Sequence, residues 1–120
     1  MTASDKRREQ RFPARIIARV QRRGSDVELV TSDVSFRGAF IRTDAPPALR
    51  QLVKVAFAIP SGQLVSAHAM VVHIVEPGAE GTGAAGMGVQ FWGPIQEARA
   101  WEQYVYELKV KGRGPAPPSR

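Results

Sequence analysis

Apolar and polar positions alternate with period two along most of the chain, which is the signature of half-buried strands. Ile16, Ala18 and Val20 alternate with Arg15, Ile17, Arg19 and Gln21 in a first run opened by Pro13. Arg23-Gly24-Ser25-Asp26 has turn chemistry, and Val27 to Ser32 reads as a second strand ending at a turn that starts at Asp33. Ala39 to Arg42 is a third strand, with Phe40 expected in the core. The next run is the clearest: Val53, Val55, Phe57 and Ile59 fall on one face and Lys54, Ala56 and Ala58 on the other. Pro60-Ser61-Gly62 turns it into a long fifth strand, Leu64 to Val75, and Met87 to Trp92 forms a sixth after the Gly- and Ala-rich loop from Pro77 to Gly86.

The period then changes. Ile95, Ala98, Trp101, Val105 and Leu108 recur at helical spacing, with Tyr104 broadening the stripe. Gly93-Pro94 is read as the start of this helix, since proline is tolerated in a first helical turn. Six strands followed by one helix give an all-β fold with a C-terminal helix. An antiparallel sheet of this size removes its edges by closing, so the expected architecture is a six-stranded antiparallel β-barrel or split β-barrel with the helix packed at one end. The expected organisation is a mobile arm over residues 1–11, one barrel domain over 12–110 with its helix at about 94–110, and a disordered tail over 111–120.

Composition narrows the classes. A chain of 120 residues with 43% hydrophobic and 23% charged residues has enough material for one core. It contains no cysteine, which excludes disulfides, thiol catalysis and cysteine-based zinc sites. No apolar run approaches the roughly 20 residues that span a bilayer, and no apolar stretch follows Met1 to Lys6 as a leader would require. A cytoplasmic protein without membrane insertion is expected. The net charge of +6 comes mostly from arginine, the lysines being Lys6, Lys54, Lys109 and Lys111. Forked guanidinium groups suit phosphate and guanine, so an anionic partner is expected.

Catalysis finds little support. His68 and His73 lie five apart in one strand, which places them on opposite faces, one at the surface and one partly buried. Ser35 lacks a nucleophile-elbow setting, and the glycines from Gly78 to Gly88 are followed by no Gly-Lys-Ser/Thr. The expectation is a protein without enzyme activity and without a cofactor or metal. Binding chemistry is concentrated in two stretches, Arg7-Arg8-Glu9-Gln10-Arg11 and Asp33-Val34-Ser35-Phe36-Arg37-Gly38. Arginine forks match guanine O6 and N7 and phosphate oxygens, while a carboxylate accepts from guanine N1–H and N2–H₂. Ser35 can donate or accept, and Gly38 leaves room for close approach. Convergence of Arg7, Arg8 and Arg11 with Asp33, Ser35 and Gly38 would therefore suit a guanine dinucleotide. The plainer readings are an Asx-turn at Asp33 and a solvated arginine tail.

The order Arg7-x-x-x-Arg11 before the first strand and Asp33-x-Ser35-x-x-Gly38 between two strands resembles the PilZ domain family of bacterial cyclic di-GMP receptors. Gly86-Met87-Gly88-Val89-Gln90-Phe91 is similar to the strand that often closes that family's barrel, so the resemblance spans about Lys6 to Leu108. It implies a PilZ-like barrel, cyclic di-GMP as ligand and an effector protein as partner. Motility, polysaccharide or biofilm control would be the output. It also implies that the arginines embrace the phosphates and guanine while Asp33 and Ser35 contact the other guanine edge. Two alternatives stay open: an adaptor of the same fold with weak or no nucleotide binding, and a basic nucleic-acid-binding barrel. The latter predicts exposed aromatics among the basic residues. Arg15 and Arg19 have none beside them, which counts against it.

Overall fold

A computed structural model describes residues 10–22, 24–78 and 85–113. In chain order the elements are β1 (Phe12–Pro13), β2 (Ile17–Arg22), β3 (Ser25–Ser35), β4 (Gly38–Arg42), β5 (Leu52–Ala58), β6 (Leu64–Val75), β7 (Gly86–Gln96) and α1 (Ala98–Arg113). Every pairing is antiparallel. The sheet runs β3-β2-β5-β6-β7-β4, and β4 pairs back onto β3, so six strands close into a barrel. The two-residue β1 lies outside that count. It continues the line of β2 along the same edge of β3, with Phe12 opposite Val34 and Ile17 opposite Val30.

The alternation read from the sequence is what fills the barrel. Ala18 and Val20 from β2, Val53, Val55 and Phe57 from β5, and Val65, Ala69 and Val71 from β6 all point inward and are buried. Helix α1 covers this core with Trp101 and Val105, both fully buried, and with the partly buried Ala100, Tyr104 and Leu108. The Trp101 ring lies 4.9 Å from Phe57 and meets Phe91 edge-on at 5.4 Å. Such aromatic pairs are worth roughly 0.5–1.5 kcal/mol beyond the area they bury. Burial also raises the Tyr104 phenol above its usual value of 10.0.

Several boundaries differ from the sequence expectation, each for a local reason. Gly93-Pro94 does not start the helix. It belongs to a bulge in β7, where Phe91 pairs with Ala69 and Ile95 with Ala67, and Gly93 takes a positive φ of 92°. Glu97, at φ 68°, turns the chain, and its carbonyl accepts the first helical bond from Trp101 N–H at 3.2 Å. Ile95 is therefore a strand residue. At its other end α1 continues to Arg113, three residues into the expected tail, and residues 114–120 lie outside the described residues. His68 and His73 are both exposed, because the register shift between Val71 and His73 ends the strict alternation of β6. Phe40 is buried but alternates with the core residues Ala39 and Ile41. On the opposite face its ring lies where any side chain on Gly86 would have to go.

Candidate functional site

The second candidate stretch is the β3–β4 hairpin. Asp33 is not in a turn: β3 runs on to Ser35, which pairs with Gly38, leaving Phe36 and Arg37 as the two-residue loop. A register shift between Thr31 and Asp33 lets the strand continue through a position that polar composition marks as a stop. The turn-forming side chain is Ser35. Its hydroxyl accepts from Arg37 N–H at 3.2 Å and lies 3.4 Å from the Gly38 carbonyl oxygen, to which it donates. Ser35 is buried, and its own carbonyl accepts the indole N–H of Trp101 at 3.0 Å. Helix α1 is thereby tied to the backbone of the hairpin 66 residues earlier.

Gly38 is needed for space and not for conformation. A Cβ there would collide with the backbone carbonyl oxygen of Val89 and stand 3.0 Å from Gln90 Cα. The hairpin therefore packs directly on the backbone of β7, the strand similar in sequence to the expected closing strand.

Asp33 pairs with Phe40 across the hairpin, so both occupy the face opposite the core. One carboxylate oxygen, Oδ2, accepts from the Ser32 hydroxyl at 3.2 Å. The other, Oδ1, is shielded from solvent and makes no hydrogen bond among the described residues. A buried acceptor left in this condition is costly and rare. Its neighbour is Arg11, whose guanidinium approaches to 3.7 Å as an ion pair, with about half of the arginine side chain exposed. The contact follows from the pairing of β1. Phe12 points into the core opposite Val34, Arg11 and Pro13 point outward, and a long side chain at 11 reaches Asp33 diagonally.

Arg11 and Asp33 thus come together, Ser35 and Gly38 shape the corner beside them, and Arg7 and Arg8 lie outside the described residues. Sequence reasoning missed three contributors. Ser32 orients Asp33, Trp101 holds the Ser35 carbonyl, and Thr31, fully buried, bonds the chain between β1 and β2. The available signal for Trp101 was its indole N–H, which requires a partner when buried. Among the described residues no group of three His, Asp or Glu side chains is placed to hold a metal ion, and no helix is long and apolar enough to cross a membrane.

The family model for the PilZ domain matches residues 5–107. No curated protein is significantly similar in sequence. Among solved structures, the Bacillus subtilis inhibitor of motility MotI/DgrA superposes with a TM-score of 0.73 at 12% sequence identity. The match covers 88% of this chain and 52% of that one, so this chain spans about half the length of the protein it resembles.

Proposed function

Because the chain belongs to the PilZ domain family, we propose that it is a cyclic di-GMP receptor whose arginine arm and Asp33 corner hold the nucleotide and pass its presence to a partner protein. The observation that carries this reading is the Asp33 carboxylate, with one shielded oxygen that makes no hydrogen bond among the described residues and a half-exposed arginine beside it. Guanine N1–H and N2–H₂ supply the donors that such a carboxylate lacks, and the ligand's phosphates supply the anions that Arg11, with Arg7 and Arg8, would receive. Ser35 and Gly38 would hold the corner in shape. A phosphate that draws Arg11 away from Asp33 frees the carboxylate for the base, so the two contacts would form together.

The effector would meet a surface next to this corner. Phe36, at the hairpin tip, is exposed and shares a shallow depression with Arg99 and Tyr106 of α1. Ordering of the arm beside the hairpin would change what that surface offers. The neighbour's description as an inhibitor of motility supports motility as one output, alongside the polysaccharide and biofilm control that the family resemblance implies.

Calorimetric titration with cyclic di-GMP, beside GTP and cyclic GMP as controls, tests the reading. Loss of one charged hydrogen-bonding group is worth roughly 1.5–3 kcal/mol, so Arg11→Ala is expected to weaken binding about tenfold to over a hundredfold. Unchanged affinity in that variant would remove the arm from the site. Absence of binding by the unaltered protein would favour the adaptor alternative.

A further inference from the structure

We propose that Thr31 is a positioning residue for the arginine arm: its buried hydroxyl bridges the break between β1 and β2 and sets the register that brings Arg11 to Asp33. Its consequence for affinity rests on the cyclic di-GMP reading above; its consequence for the arm does not.

Thr31 occupies a core position on β3 and is fully buried, where an isosteric valine would fill the space without a polar atom to desolvate. The hydroxyl is used twice. It donates to the Ala14 carbonyl at 2.6 Å and accepts from the Ile16 N–H at 3.0 Å. Those two groups flank the interval where the regular ladder along this edge of β3 lapses, between Pro13 of β1 and Ile17 of β2. On β3 the register shifts at the same level, between Thr31 and Asp33. Two backbone bonds frame the junction, Ala14 N–H to the Ser32 carbonyl at 3.1 Å and Thr31 N–H to the Ile16 carbonyl at 2.9 Å.

A break in pairing opposite a bulge is where a strand loses its register most easily, since a slip by one residue exchanges the two faces. Such a slip here would turn Arg11 inward and Phe12 outward. The Thr31 hydroxyl satisfies both orphaned backbone groups at one register, and that register places Phe12 opposite Val34 and Arg11 beside Asp33. Both bonds of the hydroxyl go to backbone groups, so it acts through the chain that carries Arg11.

The test compares Thr31→Val, Thr31→Ser, Arg11→Ala and the Arg11→Ala/Thr31→Val double variant with the unaltered protein. The readouts are calorimetric titration with cyclic di-GMP and amide hydrogen exchange at Ala14, whose own bond to Ser32 neither substitution touches. Thr31→Val is expected to weaken binding about tenfold and to speed Ala14 exchange by a similar factor, with both restored in Thr31→Ser. The double variant is expected to lose less than the sum of the two single losses, because Arg11, the side chain that the Thr31 bridge brings to Asp33, is already gone. A Thr31→Val protein with wild-type binding and wild-type Ala14 protection overturns the proposal, as does a fully additive loss in the double variant. If Thr31→Val does not fold, Thr31→Ser decides: loss of Ala14 protection there overturns the proposal, and retained protection supports it. If the unaltered protein does not bind cyclic di-GMP, the proposed function fails on its own account and Ala14 exchange alone judges the clamp.

Discussion

At the scale of single residues, the site depends on atoms that are absent as much as on those present. Gly38 leaves space into which the Val89 carbonyl of β7 fits, and the obstacle to any side chain is backbone, which cannot rotate away. Gly38→Ala must therefore separate β4 from β7 or twist the hairpin. Overpacking of this kind costs roughly 1–3 kcal/mol, and more where the neighbours are rigid. Urea denaturation is expected to show a loss in that range or above it. Wild-type stability would mean that β4 can move off β7 cheaply and that the glycine serves another purpose. Asp33 presents the opposite situation, an acceptor whose shielded Oδ1 has the Arg11 ion pair at 3.7 Å but no hydrogen bond among the described residues, with Ser32 holding only Oδ2. The two residues make one corner: the glycine lets the hairpin sit down on β7, and the carboxylate faces outward beside Arg11.

At the scale of elements, the hairpin and the C-terminal helix form a unit through Trp101. Its ring seals the barrel end, and its N–H holds the Ser35 carbonyl at 3.0 Å. Trp101→Phe keeps an aromatic ring and removes the donor. It is expected to cost about 1–3 kcal/mol in chemical denaturation, the penalty for losing a buried partner. Stability unchanged from wild type would show that water or another donor takes over the carbonyl. The strands themselves were legible beforehand, because Ile16, Ala18 and Val20 and then Val53, Val55, Phe57 and Ile59 keep a strict period of two against a closed core. What could not be read was set by partners distant in sequence. Asp33 is a strand residue because a bulge opposite Phe40 absorbs the irregularity. Gly93-Pro94 is a bulge because β6 holds β7 on either side of it. The Arg11–Asp33 approach was legible only as two stretches suited to one ligand. The diagonal that joins them is a property of β1 pairing, which two residues cannot announce by periodicity.

At the scale of the whole molecule, closure of the sheet places Arg11, the Asp33 corner and the helix on one cooperative body, so a ligand held at Arg11 and the corner should stabilise the barrel as a unit. Binding to the folded state alone adds about 2.7 kcal/mol when free ligand is a hundred times Kd. In a domain of roughly this size each kcal/mol raises Tm by several degrees, so a shift of roughly 10 °C is expected with cyclic di-GMP at that excess. GTP and cyclic GMP at equal concentration are expected to give little, since neither brings two guanines and two phosphates in one ring. The rival readings predict different melting curves from the same net charge of +6. A nucleic-acid-binding barrel would be stabilised by generic oligonucleotides, and the shift would collapse as salt rises, because each phosphate contact releases counterions. An adaptor indifferent to nucleotides would melt at one temperature in all of these solutions. A cyclic di-GMP shift that survives moderate salt and disappears in Arg11→Ala would assign the stabilisation to the arm. The same shift surviving in Arg11→Ala would move the ligand to some other face of the barrel.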